Sequence, residues 1–87
     1  MIKYNLRLSD EAMQSYQFFK MKDKKTFNKI VNILKNMQET PFSGLGKPEP
    51  LKYNLSGFWS RRIDKKNRII YEIGEERRTS YYQYNSN

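Results

Sequence analysis

From residue 10 onward, the spacing of the apolar residues changes once, and this change constrains the fold more than any other feature. Between residues 10 and 40, apolar side chains recur every three or four positions, as in helices that bury one face. From Phe58 onward they recur at every second position, as in strands with one buried face. Helices followed by a run of strands predict an α+β chain, with the helices on one face of a mainly antiparallel sheet.

The first half of the chain predicts one strand and two helices. Alternation over residues 4–8 indicates the strand, and Ser9 and Asp23 can accept hydrogen bonds at the two helix starts. Proline disfavours helical backbone in the residue before it, so Thr40-Pro41 should end the second helix. The expected apolar stripes are Ala12, Tyr16 and Phe19 on the first helix, and Phe27, Ile30, Leu34 and Met37 on the second.

The second half predicts a loop and then three strands, giving the order β-α-α-β-β-β. Glycines and prolines over residues 41–50 indicate the loop, and a last strand is expected over Thr79–Asn85. Pairing Ile63 with Ile69 across a turn at Asp64–Arg68 gives the buried face Trp59, Ile63, Ile69, Tyr71 and Ile73. The same register gives the opposite face Ser60, Arg62, Arg68 and Ile70.

Composition narrows the functional classes. With no cysteine and no histidine, the chain lacks thiolate metal sites, disulfides and the commonest general base, and we expect no metal or other cofactor. No apolar run is long enough to span a bilayer, and the first residues lack a signal-peptide core, so we expect a cytoplasmic protein with no membrane partner. Residues 1–87 are expected to form a single domain.

The charge points to a polyanionic partner. Lys and Arg number 17 against 9 Asp and Glu, a net charge of +8 on a small surface. Such an excess favours RNA, DNA or an acidic protein as partner, whereas the simpler alternative is a general gain in solubility. A free-standing RNA- or DNA-binding module is therefore one interpretation of the composition.

Two segments carry a dense family resemblance. They are Gly44–Ile63 (GLGKPEPLKYNLSGFWSRRI) and Asn67–Tyr71 (NRIIY), which resemble the YoeB/Txe toxins of the RelE/ParE superfamily. The resemblance implies the RelE-like fold and a type II toxin that cuts mRNA in the ribosomal A site without a metal, inhibiting translation. It also implies contact with rRNA, a YefM/Axe-like antitoxin and a homodimer, with DNA bound only through the toxin–antitoxin complex.

The resemblance also assigns site residues. It implies that Glu49 is the general base, that Arg68 stabilises the phosphorane and that Arg62 contacts phosphate. Lys52 corresponds to a basic residue near the RNA. Lys47 and Tyr82 are further candidate RNA contacts.

The chain departs from the family pattern near residue 85, where the family has a histidine that acts as general acid. With a one-residue deletion after Glu76, Tyr84-Asn85-Ser86 takes the place of the family's Tyr-His-Tyr. Asn85 can donate a hydrogen bond but no proton at neutral pH, and Tyr84 is the nearest candidate donor. A second interpretation follows: a toxin homologue that binds ribosome, RNA and antitoxin but cuts weakly or not at all.

Several residues leave alternatives open. Glu49 lies between two prolines that fix its backbone, but an isolated glutamate of this kind could be a simple loop residue. Arg62 and Arg68 could hold one phosphate together or extend separately into solvent. Arg61 should point to the other face beside Trp59, in a structural or interface role that could include packing on an aromatic ring. Base stacking, weak acid catalysis and strand packing remain open for the residues Tyr81, Tyr82 and Tyr84.

Overall fold

The computed structural model describes residues 4–74 and 78–85, the latter by their backbone. Its elements are β1 (Asn5–Leu8), α1 (Asp10–Lys22), α2 (Lys24–Glu39), β2 (Glu49–Pro50), a 3-10 turn (Tyr53–Leu55), β3 (Trp59–Arg62), β4 (Asn67–Gly74) and β5 (Arg78–Asn85). The predicted element order is confirmed, with one correction. Residues 41–50, expected to be entirely loop, end in the two-residue strand β2.

Side-chain caps define the helix ends as expected. The Ser9 hydroxyl accepts a hydrogen bond from the Ala12 amide at 3.1 Å and begins α1. The Asp23 carboxylate accepts from the hydroxyl and the amide of Thr26, at 2.7 and 3.1 Å, and begins α2. The side-chain hydrogen bond from Thr26 is the main cause that lowers the pKa of Asp23. α2 ends at Glu39, directly before Thr40 and Pro41.

The five strands form one sheet in the order β1-β5-β4-β3-β2. β1 runs parallel to β5, and the other three neighbouring pairs are antiparallel. The prediction of a mainly antiparallel sheet with helices on one face is therefore confirmed. The strand nearest the start of the sequence and the strand nearest its end are neighbours in the sheet.

The core lies between α2 and the inner face of β3 and β4. Three of the four stripe residues predicted on α2 are buried, and Phe27 is half-buried with its ring 5.0 Å from that of Tyr16. The buried apolar residues described here are Ala12, Ile30, Ile33, Leu34, Met37, Ile63, Ile69 and Tyr71. This face of the sheet is the one that the sequence predicted.

The turn between β3 and β4 is tighter than predicted. Arg61, not Ile63, pairs with Ile69, and Arg68 lies within β4 and not in the turn. The cause is local, because Asp64 Oδ1 accepts hydrogen bonds from the amides of Lys66 and Asn67 at 2.8 and 2.7 Å. The correction shifts the register by two residues, which leaves every side chain on its predicted face.

Candidate active site

The sheet face opposite the helices carries two neighbouring rows of paired residues. In the first row Glu49 pairs with Ser60, which pairs with Ile70. In the second row Arg62 pairs with Arg68. Paired residues lie side by side on one face, and successive rows on that face are about 7 Å apart. Glu49 therefore lies one row away from the arginine pair.

The arginine pair places two like charges directly opposite each other. Arg62 is exposed and Arg68 is half-buried. Among the side chains that the structure describes, neither guanidinium has a hydrogen-bond or ion-pair partner. Like charges paired across strands repel, and an anion held between them would relieve that repulsion through charge-assisted hydrogen bonds. The phosphate-binding role expected of the pair stays a prediction, and the direct pairing of the two residues is compatible with it.

Glu49 is an exposed carboxylate on a restrained backbone. The prolines on either side limit the backbone conformations open to it, and β2 pairs it with β3. No other side chain described in the structure pairs with it. Its carboxylate is therefore free to accept a proton from a molecule bound on this face.

Two lysines flank this face along the same chain segment. Lys47 is exposed and follows Gly46, whose carbonyl accepts a hydrogen bond from the Arg62 amide at 2.6 Å. That bond fixes Lys47 close to the row of Arg62. Lys52 is also exposed, just beyond Leu51 at the other end of β2.

The structure also exposes an aromatic residue that the sequence analysis did not single out. Tyr53 is 91% exposed and has a left-handed backbone conformation with φ of 59°. Hydrogen bonds within the turn, from the Ser56 amide to the Tyr53 carbonyl and from the Leu55 amide to the Lys52 carbonyl, hold this backbone. The sequence did contain a signal for Tyr53, because an aromatic residue follows Lys52 directly at the start of a turn.

The predicted residues near the end of the chain stand on β5, where the structure describes backbone register alone. Tyr82 pairs with Ile70 and Tyr84 pairs with Arg68, so both positions belong to the rows of Glu49 and the arginine pair. Asn85 pairs with Asn67, outside those rows. The roles expected of Tyr82, Tyr84 and Asn85 stay predictions, and Ser86, like Glu76, lies outside the described residues.

The inner face of β3 carries a fully buried arginine. Arg61 donates through Nε to the Tyr71 hydroxyl at 3.0 Å, and its guanidinium carbon lies 5.5 Å from the centre of the Tyr71 ring. Packing on an aromatic ring was one of the roles left open for Arg61, and the ring that it packs on is that of Tyr71. Trp59 instead contacts Phe42, at 5.0 Å between ring centres.

Arg61 uses all its donors. Its two terminal nitrogens donate to four oxygens, namely the Asn36 side-chain amide at 2.5 Å and the carbonyls of Thr40, Ser43 and Leu45 at 2.6, 3.1 and 3.1 Å. With the bond to Tyr71, all five N–H groups of the guanidinium are satisfied. The predicted structural position of Arg61 on the inner face is confirmed.

Burial and hydrogen bonding shift the pKa values of two further side chains, Tyr71 and Asp64. Burial raises the pKa of Tyr71, and the hydrogen bond and charge of Arg61 oppose that rise. For Asp64, burial raises the pKa, but the hydrogen bonds from Asn67 and Lys66 outweigh it and leave the pKa lowered.

In residues 4–74, no three His, Cys, Asp or Glu side chains come together as metal ligands would, and no helix has the length and apolar character of a membrane span.

The structure defines a small α+β protein in which two helices back a sheet whose other face carries an arginine pair, and comparison with known proteins identifies the family. A family profile described as YoeB-like toxin of bacterial type II toxin-antitoxin system matches residues 8–82. Toxin YoeB of Escherichia coli O6:H1 is 47% identical over 68 residues, which are 78% of this chain and 81% of that protein. The chain therefore belongs to the family of YoeB-like toxins of type II toxin–antitoxin systems.

Solved structures agree with this assignment. A YoeB/ParE toxin from Agrobacterium tumefaciens superposes with a TM-score of 0.88 at 36% identity, covering 95% of this chain and 98% of that one. The toxin in a heterotetrameric YoeB-YefM complex from Staphylococcus aureus gives 0.85 at 33% identity, covering 97% of each chain. The YoeB dimer from the same species gives 0.84 at 32% identity, covering 98% of each chain.

Proposed function

We propose that this toxin is a ribosome-dependent, metal-independent endoribonuclease of the cytoplasm that cuts mRNA in the ribosomal A site and thereby stops translation. The observation that carries the proposal is the placement of Glu49 one row from the Arg62–Arg68 pair on the sheet face opposite the helices. A base and two cations at this spacing can flank one phosphodiester group. The net charge of +8 supports binding to RNA.

The proposed reaction uses the 2′-hydroxyl of the substrate as nucleophile. Glu49 takes the 2′ proton, and the O2′–P bond forms as the P–O5′ bond breaks, which leaves a 2′,3′-cyclic phosphate and a free 5′-hydroxyl. Arg68, assisted by Arg62, stabilises the negative charge that develops on the phosphorane oxygens. Lys47, Lys52 and Tyr82 contact the RNA chain on either side.

The leaving 5′ oxygen needs a proton, and two residues are candidates to assist it. The position of Tyr84 shares a row with Arg68, and a tyrosine hydroxyl is a possible proton donor, with a reference pKa of about 10. Asn85 can only donate a hydrogen bond. We therefore propose Tyr84 as the proton donor, so that Tyr84→Phe slows cleavage. If Asn85→His instead raises the rate roughly 10-fold or more, position 85 reaches the leaving oxygen and takes over general acid catalysis.

Primer extension on a translated mRNA, with free mRNA as control, tests the activity. We expect cuts in A-site codons of the translated message, none in the free message, and none where the attacking hydroxyl is replaced by 2′-deoxy. Glu49→Gln and Arg68→Ala should each slow cutting by roughly 10²-fold, the usual scale for a positioned base or charge stabiliser. Glu72→Gln and Arg7→Ala change the same residue types on β4 and β1 and should cut normally. Normal cutting by the first two variants would contradict the proposed site.

We further propose that a YefM/Axe-like antitoxin neutralises the toxin by covering Arg62 and Arg68, and that the toxin can form a homodimer. The Staphylococcus aureus YoeB-YefM complex and YoeB dimer support both partners. The like charges of the arginine pair favour an acidic segment that folds over them on binding. Association with DNA is then a property of the toxin–antitoxin complex. An antitoxin complex that leaves both arginines open to solvent would contradict this mode of inhibition.

One observation favours a second function. The chain has no histidine, so the family's usual general acid is missing. A toxin of this kind could keep its ribosome, RNA and antitoxin surfaces and cut poorly. Expression in growing cells separates the two functions, because prompt growth arrest with A-site cuts indicates the nuclease. Retained ribosome binding without cuts indicates the binding protein.

A further inference from the structure

The loop of residues 40–47 delivers Glu49 to the sheet, and it turns its backbone carbonyls inward. The carbonyls of Thr40, Ser43 and Leu45 accept hydrogen bonds from Arg61, and the Pro41 carbonyl accepts one from the Tyr71 hydroxyl at 2.7 Å. Carbonyls removed from water need such donors. The shape of this loop therefore depends on the two side chains that it encloses.

Arg61 is held without a carboxylate partner among its contacts. Its five acceptors are three backbone carbonyls, the Asn36 side-chain oxygen and the Tyr71 hydroxyl, all of them neutral. One of the carbonyls is that of Thr40, at the end of α2, where the helix dipole places partial negative charge. Because the fork of donors is rigid, it fixes the relative positions of α2 and of the loop after it.

β2 is too short to fix Glu49 by itself. It has two residues, and Pro50 has no amide to donate to the neighbouring strand. On the side toward the loop, the hydrogen bond from the Arg62 amide to the Gly46 carbonyl is the next backbone link to β3. Gly46 passes so close to β3 that a Cβ there would lie 3.1 Å from Arg61 Cβ. The position of Glu49 thus follows from how the loop packs around Arg61.

We infer that Arg61 is a positioning residue for the proposed nuclease: it holds the loop of residues 40–47, and through it Glu49, at the distance from the Arg62–Arg68 pair that proton transfer requires. The inference rests on the proposed function. Arg61 itself faces away from the RNA and contacts no reacting atom. Its effect should appear in the chemical step and not in RNA binding.

Amide hydrogen exchange tests the first half of the inference without reference to activity. The Leu45 amide donates to the Asn36 side-chain oxygen at 3.0 Å and the Arg62 amide donates to Gly46, so both report on the loop. Arg61→Lys keeps the charge but loses the fork, and we expect at least 10-fold faster exchange at both amides and little change at Ile69. Arg62→Lys is the matched control and should leave all three unchanged. Equal protection in Arg61→Lys and the natural protein would overturn the inference.

A double-mutant cycle on single-turnover cleavage, with saturating ribosomes, tests the second half. We expect Arg61→Lys alone to slow cleavage about 10- to 100-fold, the scale of a small misplacement of a reacting group. In a Glu49→Gln background the same change should have less than about a threefold effect, because the base that it positions is already gone. The same slowing in both backgrounds would show that Arg61 does not act through Glu49 and would overturn the inference.

Two outcomes keep this test separate from the proposed function. If Glu49→Gln cuts at the natural rate, Glu49 is not the base and the proposed function fails in that respect, while the exchange data still decide whether Arg61 holds the loop. If Arg61→Lys does not fold, Asn36→Ala takes its place, since Asn36 accepts from both Arg61 and Leu45. For Asn36→Ala the exchange test uses the Arg62 amide alone, because this substitution removes the acceptor of the Leu45 amide directly. The expected cleavage result, and the results that overturn the inference, are otherwise those given for Arg61→Lys.

Discussion

Arg61 and Arg62 are chemically identical neighbours on β3, and the sheet gives them opposite surroundings. Arg61 is fully buried, with five hydrogen bonds to α2, the loop and β4. Arg62 is exposed, opposite Arg68, without a side-chain partner among the described residues. The difference shows that an Arg-Arg pair in a sequence combines two tasks. Arg61 makes hydrogen bonds that hold the fold together, and Arg62 is exposed and is proposed above to bind phosphate.

The two environments also differ in what compensates the charge. Around Arg61, fixed carbonyl dipoles replace water, so the charge is stabilised only while the loop and α2 keep their places. Around Arg62, water stabilises the charge and can be exchanged for a phosphate. Substitutions at the two positions should therefore differ in kind, with changes of stability at Arg61 and changes of binding at Arg62.

The largest expected effect is on stability at position 61. Arg61→Met removes the five hydrogen bonds that a fully buried side chain makes to α2, the loop and β4, so the free energy of unfolding should fall by about 3–5 kcal/mol. Arg62→Met should change it by no more than about 0.5 kcal/mol, as at an ordinary exposed site. Urea unfolding of both variants measures the difference. Similar losses at the two positions would show that their burial does not separate their roles.

The next largest effect is on stability at Gly46, where the loop passes close to the backbone of Arg61 and Arg62. Gly46→Ala would put a Cβ 2.9 Å from the Arg62 carbonyl oxygen, at a φ of +78°, and should cost about 1–3 kcal/mol of stability. Gly57→Ala is a matched control, because its φ is +97° but nothing lies within 4 Å of the added Cβ. Gly57→Ala should therefore lose only the stability that an alanine loses in this backbone conformation. Equal destabilisation in thermal unfolding would mean that the close approach at Gly46 contributes nothing.

A smaller effect is expected on RNA binding at position 62. Arg62→Ala removes one phosphate contact, so affinity for a single-stranded RNA should fall about three- to tenfold at low salt. The slope of log affinity against log salt should decrease by about 1. Arg61→Lys should leave this slope unchanged, because its side chain faces the core. Fluorescence anisotropy titrations at several salt concentrations give both quantities. An unchanged slope in Arg62→Ala would remove Arg62 from the phosphate site.

The smallest effect is the pH dependence that the burial of the Tyr71 hydroxyl introduces. The folded state raises the pKa of Tyr71, so the unfolded chain loses this proton first and the associated stability declines above about pH 10. Tyr71→Phe lacks the hydroxyl and should be less stable near neutral pH by about 1–2 kcal/mol. The gap between the two proteins should narrow as the pH rises above 10. A gap that stays constant in alkaline urea titrations would contradict this linkage.

Contacts between residues that are close in the sequence could be predicted, and most contacts between distant residues could not. Ser9 and Asp23 cap helices through bonds spanning three residues, so both helix starts were predicted correctly. The faces of β3 and β4 followed from alternation. Their register did not, because the hydrogen bonds of Asp64 shorten the turn by an amount that alternation does not encode.

The same distinction applies to the site. That Arg62 and Arg68 share one face could be predicted from alternation, but their direct pairing could not, because it depends on the length of the turn. The surroundings of Arg61 could not, because most of its acceptors are backbone carbonyls far away in the sequence, and carbonyls are common to all residue types. Strand β2 was missed because its two residues, Glu49 and Pro50, are too few to show an alternating pattern.

The parallel pairing of β1 with β5 has a consequence for how the protein folds. This pairing joins Asn5 to Arg78 at the edge of the sheet. The segment of chain between the paired residues contains both helices and the other three strands. Closing so long a loop is entropically unfavourable until the intervening contacts exist, so this pairing should form last. A growing polypeptide could assemble its helices early, but not its complete sheet. Newly made copies would thus complete their sheet only after residues 78–85 have left the ribosome that made them.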